Sequence, residues 1–177
     1  MESRRKRQGS QIKKWACYAL LLLLCTVLQT TPGLLQFGTA KPLYLLPLCL
    51  AVAAFEGEFA GALYGAVCGL MWDYTAGRTI GMLALELMVL CFAASMILQL
   101  YFKTTASNFA LLSGLAALLV LACDWLFFYY MPGYADHAWR FVTFVLPSAA
   151  LTVPVSLAVF GIVRCVSTAF KIDNGVV

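Results

Sequence analysis

Three carboxylates stand in a chain that is otherwise strongly apolar. Glu86 and Asp124 interrupt long apolar runs, and Asp73 closes a third. A carboxylate at mid-bilayer costs at least about 2.5–3.5 kcal/mol, so each needs a cationic partner, water or a proton. Such a set could bind a ligand or handle protons. It could equally be a group of ion pairs that fixes helix register, and buried pairs often only break even energetically. Other chemistries find no footing. The single histidine, His137, has no serine or cysteine near it in sequence, so no nucleophile and base are paired. Seven cysteines, at 17, 25, 49, 68, 91, 123 and 165, include no Cys-x-x-Cys, and nearly all lie inside apolar runs as small hydrophobes. Gly77-x-x-x-Gly81 lacks the Gly-Lys-Ser/Thr ending of a phosphate loop. No cofactor, no metal and no enzymatic activity are expected.

The elements that must position these residues are membrane helices. Of 177 residues, 63% are hydrophobic and 11% charged, with a mean hydropathy of +0.88. A soluble domain carries about 45–50% apolar and about 25% charged residues. The expected fold is all-α: an integral membrane protein of about six transmembrane helices in one bundle. Residues 1–14 form a basic, disordered cytoplasmic tail, 15–165 the membrane domain and 166–177 a short second tail. The spans are expected at Trp15–Thr31, Pro42–Phe55, Gly57–Asp73, Ile80–Phe102, Phe109–Met131 and Ala138–Val163. Pro42 suits a first helical turn, and Pro47 is expected to kink or interrupt span two.

Six spans put both termini on one side. Nine basic residues then share that side: Arg4, Arg5, Lys6, Arg7, Lys13, Lys14, Lys103, Arg164 and Lys171. Three, Lys41, Arg78 and Arg140, lie opposite. The positive-inside rule makes the basic side the cytoplasm. The N-terminal cluster meets anionic lipid headgroups there; without interleaved aromatics, it is not a nucleic-acid site. On the outer side, Asp73, Glu86 and Asp124 are expected to gather with Arg78 and Arg140. A short turn joins spans five and six and makes Asp124–Arg140 the easiest pair.

Span three has a regular pattern. Glycines recur at 57, 61, 65 and 69, and Asp73 follows after the same interval. Four-residue spacing puts them on one helical face, leaving a ridge almost bare of side chains. In a membrane such a ridge admits a second helix to close range. Its partner is either a neighbour in the same bundle or a span of another protein. Gly77 and Gly81 shape the turn that follows.

The run Gly61-x-x-x-Gly65-x-x-x-Gly69-Leu70-x-x-Asp73, with Gly77, Arg78-x-x-Gly81 and Ala84-Leu85 after it, resembles the core segment of the rod-shape-determining protein MreD family. The chain's length, short N-terminal tail, prolines in span two and number of spans agree in outline. Glu86 and Asp124 match no family signature. The resemblance implies a non-catalytic subunit of the bacterial elongation machinery, located in the cell membrane and required for rod shape and peptidoglycan synthesis. It implies an MreC-type scaffold as partner, with an MreB-type actin-like filament, RodA and a penicillin-binding transpeptidase in the same complex. The family is also similar in helix arrangement to the substrate-binding subunits of energy-coupling-factor vitamin transporters. A small-molecule-binding membrane subunit is therefore the alternative, although the first loop offers little beyond Gln36 and Phe37 to bind a ligand.

Overall fold

The computed structural model describes residues 2–31, 33, 38, 40–77, 81–100, 105–134 and 137–170, and the side chains of these except residues 2–10 and His137. Helix α1 runs Glu2–Thr30, α2 Leu45–Glu56, α3 Glu58–Ala76, α4 Met82–Leu100 and α5 Ala106–Trp125. A π-helical turn, Leu126–Tyr130, prolongs α5. The one-turn helix α6, His137–Arg140, leads through a second π-helical stretch, Phe141–Val145, into α7, Leu146–Ala169. The α5 rod is 25 residues long and the α6–α7 rod 32, and with α1 and α4 they are apolar and long enough to cross a bilayer. Counting α2 and α3, the chain is a six-helix membrane bundle.

The bundle is built around α2. Every residue from Leu45 to Ala53 is buried, and α3, α4, α5, α7 and α1 all pack on it. A helix that is apolar on all sides needs such surroundings. Its twelve residues reach only about 18 Å, short of the roughly 30 Å hydrocarbon core. The remainder of that crossing begins as non-helical chain, residues 41–44. Pro42 therefore lies outside the helix, where the sequence places it in the first turn. Pro47 occupies that first turn instead. Its missing N–H is one of those that a helix start leaves unpaired in any case, so the expected kink does not arise.

The N-terminal segment also departs from expectation. Helix α1 begins at Glu2, and the stretch read as disordered is helical. It contains no proline and is rich in Arg, Lys and Gln, all good helix formers.

Two glycines make the connections tight. Gly57 alone separates α2 from α3, with φ 97° and ψ 173°, a conformation open essentially to glycine alone. Gly77 ends α3 in the left-handed conformation, its N–H donating to the Asp73 carbonyl, as a helix C-terminus often requires. Helix α4 is thereby returned against α3, the most extensive helix pair in the molecule. Helix α5 pairs with α7, while α4 and α5 barely touch.

Candidate functional site

The bare face of α3 points into the bundle. Gly61, Tyr64, Gly65, Cys68, Gly69 and Asp73 are its buried residues. A methyl carbon added at Gly61 would lie 2.4 Å from Ala53 Cα on α2. At Gly65 it would meet Cys91 Sγ and the Leu87 carbonyl of α4, both at 2.8 Å. At Gly69 it would lie 2.4 Å from Ala84 Cα and 2.7 Å from the Leu83 carbonyl. Ordinary carbon–carbon contact is about 3.5–4.0 Å, so no side chain fits at any of the three. Of the two neighbours that the sequence leaves open, the structure places α2 and α4 on this face. Gly57 has only the Gln99 side chain nearby, at 3.9 Å.

Asp73 ends the ridge and is 1% exposed. Its Oδ2 accepts the Gly81 N–H at 2.8 Å, and the Gly81 carbonyl in turn accepts the Leu85 N–H. The carboxylate therefore sits at the start of α4, where unpaired N–H groups and the helix dipole favour negative charge.

Glu86, Asp124 and Arg140 are the other described members of the expected outer cluster. Glu86 faces the Cys123 thiol and lies within electrostatic range of Asp124 and Asp73. Its Oε1 is buried without a hydrogen-bond partner among the described residues. Arg140 lies over the Tyr129 ring, 4.5 Å from its centroid. A guanidinium over an aromatic face gains from the ring quadrupole. Trp125 and Phe141 meet edge to face, at 5.0 Å, joining the end of α5 to the second π-helical stretch. Arg78 lies outside the described residues, as do Gln36 and Phe37 of the first loop.

Two polar sites were not read from the sequence. The first latches the non-helical entry to α2. Gln29 Oε1 of α1 accepts the N–H groups of Tyr44, at 2.8 Å, and Leu45, at 3.3 Å. Thr152 Oγ1 and Ser148 Oγ of α7 accept those of Leu43, at 3.1 Å, and Lys41, at 3.3 Å. The Lys41 ammonium donates to the carbonyls of Gln29 and Thr31. Irregular backbone survives at membrane depth only when protein supplies such partners. The available signal was Ser148-x-x-x-Thr152, two hydroxyls on one face of an apolar helix, with Gln29 at the end of span one.

The second site clasps the inner ends of α1 and α2. Lys14 Nζ meets Glu56 Oε2 at 2.6 Å, both side chains 11% exposed, and the Tyr18 hydroxyl donates to Glu56 Oε1 at 2.8 Å. The Tyr64 hydroxyl of α3 donates to the Tyr18 carbonyl at 2.8 Å. Glu56→Gln is expected to cost about 1.5–3 kcal/mol in detergent unfolding, as befits a hydrogen bond to a charged group. In a double-mutant cycle with Lys14→Met, most of that loss is expected to vanish in the Lys14→Met background. Additive losses would mean that the pair is not coupled.

A sequence model of the family described as rod shape-determining protein MreD matches residues 10–166 of the chain. No curated protein and no solved structure matches it. The alternative reading, a vitamin-transporter subunit, gains no support from these comparisons.

Proposed function

The chain belongs to the rod shape-determining protein MreD family, and on that premise we propose that it is a non-catalytic subunit of the bacterial cell-elongation complex, supporting peptidoglycan synthesis by holding partner membrane proteins together. Members of this family are bacterial membrane proteins that determine cell shape within a complex. The finer reading names an MreC-type scaffold as the direct partner, with an MreB-type filament, RodA and a penicillin-binding transpeptidase in the same assembly.

One observation carries the reading. The most strongly partnered polar groups serve the fold itself: Asp73 starts α4, Glu56 binds Lys14 and Tyr18, and Gln29 starts α2. In this reading Gly61, Gly65 and Gly69 are the internal seam that fixes the bundle, and Asp73, Gly77 and Gly81 close it at the outer end. Partners then meet the outward sides of the helices. On α3 these include Phe59, Leu63, Val67 and Leu70, all exposed.

Depletion in a rod-shaped bacterium tests the proposal. Cells are expected to round up and to regain rods when the chain is restored, and a single-span scaffold is expected to co-purify with it. Rods that persist through depletion, or a vitamin-sized ligand that co-purifies in place of the scaffold, would overturn the reading.

A further inference from the structure

Helix α7 carries a proline in its interior, Pro154. Proline has no N–H, so the Ala150 carbonyl, four residues earlier, is without the donor that an α-helix supplies. The nearest hydroxyls are taken: Thr152 donates to the Ser148 carbonyl at 2.7 Å and Ser156 to the Val153 carbonyl at 2.6 Å. Ala150 and Pro154 are both exposed, which puts the stripped carbonyl on the outward side of α7. Ala150 stands about 18 Å from Ala138 and about 28 Å from Ala169, the two ends of the apolar rod. At that depth backbone groups must be paired, and a proline is tolerated where a neighbouring helix, a side chain or water completes the pairing.

Ala150 also lines a groove of about 570 Å³ between α5 and α7. Ala110 and Ala149 are buried at its floor, while Leu111 and Leu115 stand exposed at its rim. A carbon added at Gly114 would meet the Val153 side chain at 3.1 Å, so the two helices already touch beneath the groove and cannot close it by moving together. From Ala110 to Leu118 the groove runs about 12 Å along α5, just over two helical turns.

Three occupants are available to such a groove in a membrane. A lipid acyl chain covers the apolar rim but has no donor for the carbonyl. A second copy offers none either. Of the described hydroxyls away from the span ends, Thr26 donates to the Leu22 carbonyl, and Ser95, Ser113, Ser148, Thr152 and Ser156 are buried. A helix of another protein supplies both needs: its apolar face fills the groove, and a serine, threonine, asparagine or glutamine on that face bonds across to α7.

On the reading of the chain as an assembly subunit, we propose that the α5–α7 groove seats the membrane span of the single-span scaffold, which presents a hydroxyl or carboxamide donor to the Ala150 carbonyl. The full-length chain, co-expressed with that scaffold, carries a photoreactive residue at Leu115 or, in a parallel variant, at Leu63 on α3. An adduct from Leu115 to the scaffold's membrane span is expected. Pro154→Ala restores the missing N–H and separates structure from recognition. The unfolding midpoint of the isolated chain should rise. Its affinity for the scaffold, read by fluorescence transfer in bilayers, should fall about threefold to thirtyfold, the worth of one interhelical hydrogen bond. A purely structural proline would not move the two in opposite directions. If Pro154→Ala fails to fold, Ala150→Leu, which crowds the groove from its exposed side, decides through loss of the Leu115 adduct. Adducts from Leu115 to lipid alone or to a second copy, an adduct from Leu63 alone, or undiminished affinity in Pro154→Ala would overturn the proposal. With an adduct from Leu63 alone the scaffold still binds and the proposed function stands; a scaffold that never co-purifies sinks both.

Discussion

Gly69→Ala is expected to destabilise the bundle by about 1–3 kcal/mol, the usual range for overpacking a tight core. The added carbon would lie 2.4 Å from Ala84 Cα and 2.6 Å from Ala84 N. Both are backbone atoms of α4, so no rotamer change relieves the clash; the helices must separate. Separation would also draw the Asp73 carboxylate away from the Gly81 N–H. Gly61→Ala, which meets Ala53 Cα at the same distance, should behave alike. Gly161 supplies the control, because an added carbon there meets nothing within 4 Å. Gly161→Ala is expected to be neutral or to gain up to about 1 kcal/mol from helix propensity. Reversible unfolding in mixed micelles measures the difference, expected at about 1–4 kcal/mol between the Gly69 and Gly161 variants. Leucine at Gly65 or Gly69 should fail altogether to restore rod shape in depleted cells. A Gly65→Leu protein of normal stability that supports normal rods would refute the seam.

Gln29→Leu is expected to cost about 2–6 kcal/mol, because it strands two buried N–H groups at about 1–3 kcal/mol each. Tyr44 and Leu45 both donate to the lost amide oxygen, and both donors lie in buried residues, where water does not take its place. The loss falls on the start of α2, the helix on which the others pack. Gln29→Glu keeps an acceptor in place and should recover most of the stability. Thr152→Val strands only Leu43 N–H and should cost about half as much. Amide exchange at positions 43–45 provides the local readout: faster in Gln29→Leu, near wild type in Gln29→Glu. Unchanged exchange in Gln29→Leu would remove Gln29 from the latch.

The glycine seam and the two polar sites differ in how far the sequence discloses them. Six crossings follow from apolar runs and from nine basic residues set against three, because insertion energetics act on composition and charge alone. The ridge at 61, 65 and 69 was equally legible, since a four-residue interval fixes a shared face without tertiary information. Which helices lie on that face is a matter of tertiary packing: Ala53, Leu87 and Ala84 carry no mark in the sequence as its neighbours. The start of α2 was misread for a related reason. Pro42 and Pro47 each suit a first turn, and the intervening Leu-Tyr-Leu-Leu is apolar in either conformation. Acceptors from α1 and α7 decide the matter, up to 109 residues away. The Lys14–Glu56 pair spans 42 residues, and it becomes visible only when the two span ends are placed at the same inner boundary. The Arg140–Tyr129 contact is not legible in the sequence, because charge counting does not weigh a guanidinium over an aromatic ring.

The account rests on α3 and α4 touching backbone to backbone. An added carbon at Gly69 falls 2.4 Å from Ala84 Cα, and a carbon–carbon bond is about 1.5 Å, so the two Cα atoms lie within about 4 Å. Solid-state NMR of the labelled protein in lipid bilayers reads this contact directly. The expected result is a strong through-space carbon correlation between Gly69 Cα and Ala84 Cα, with none from Gly69 to lipid acyl chains. A Gly69 signal that correlates with acyl chains and lacks the Ala84 contact would contradict the account.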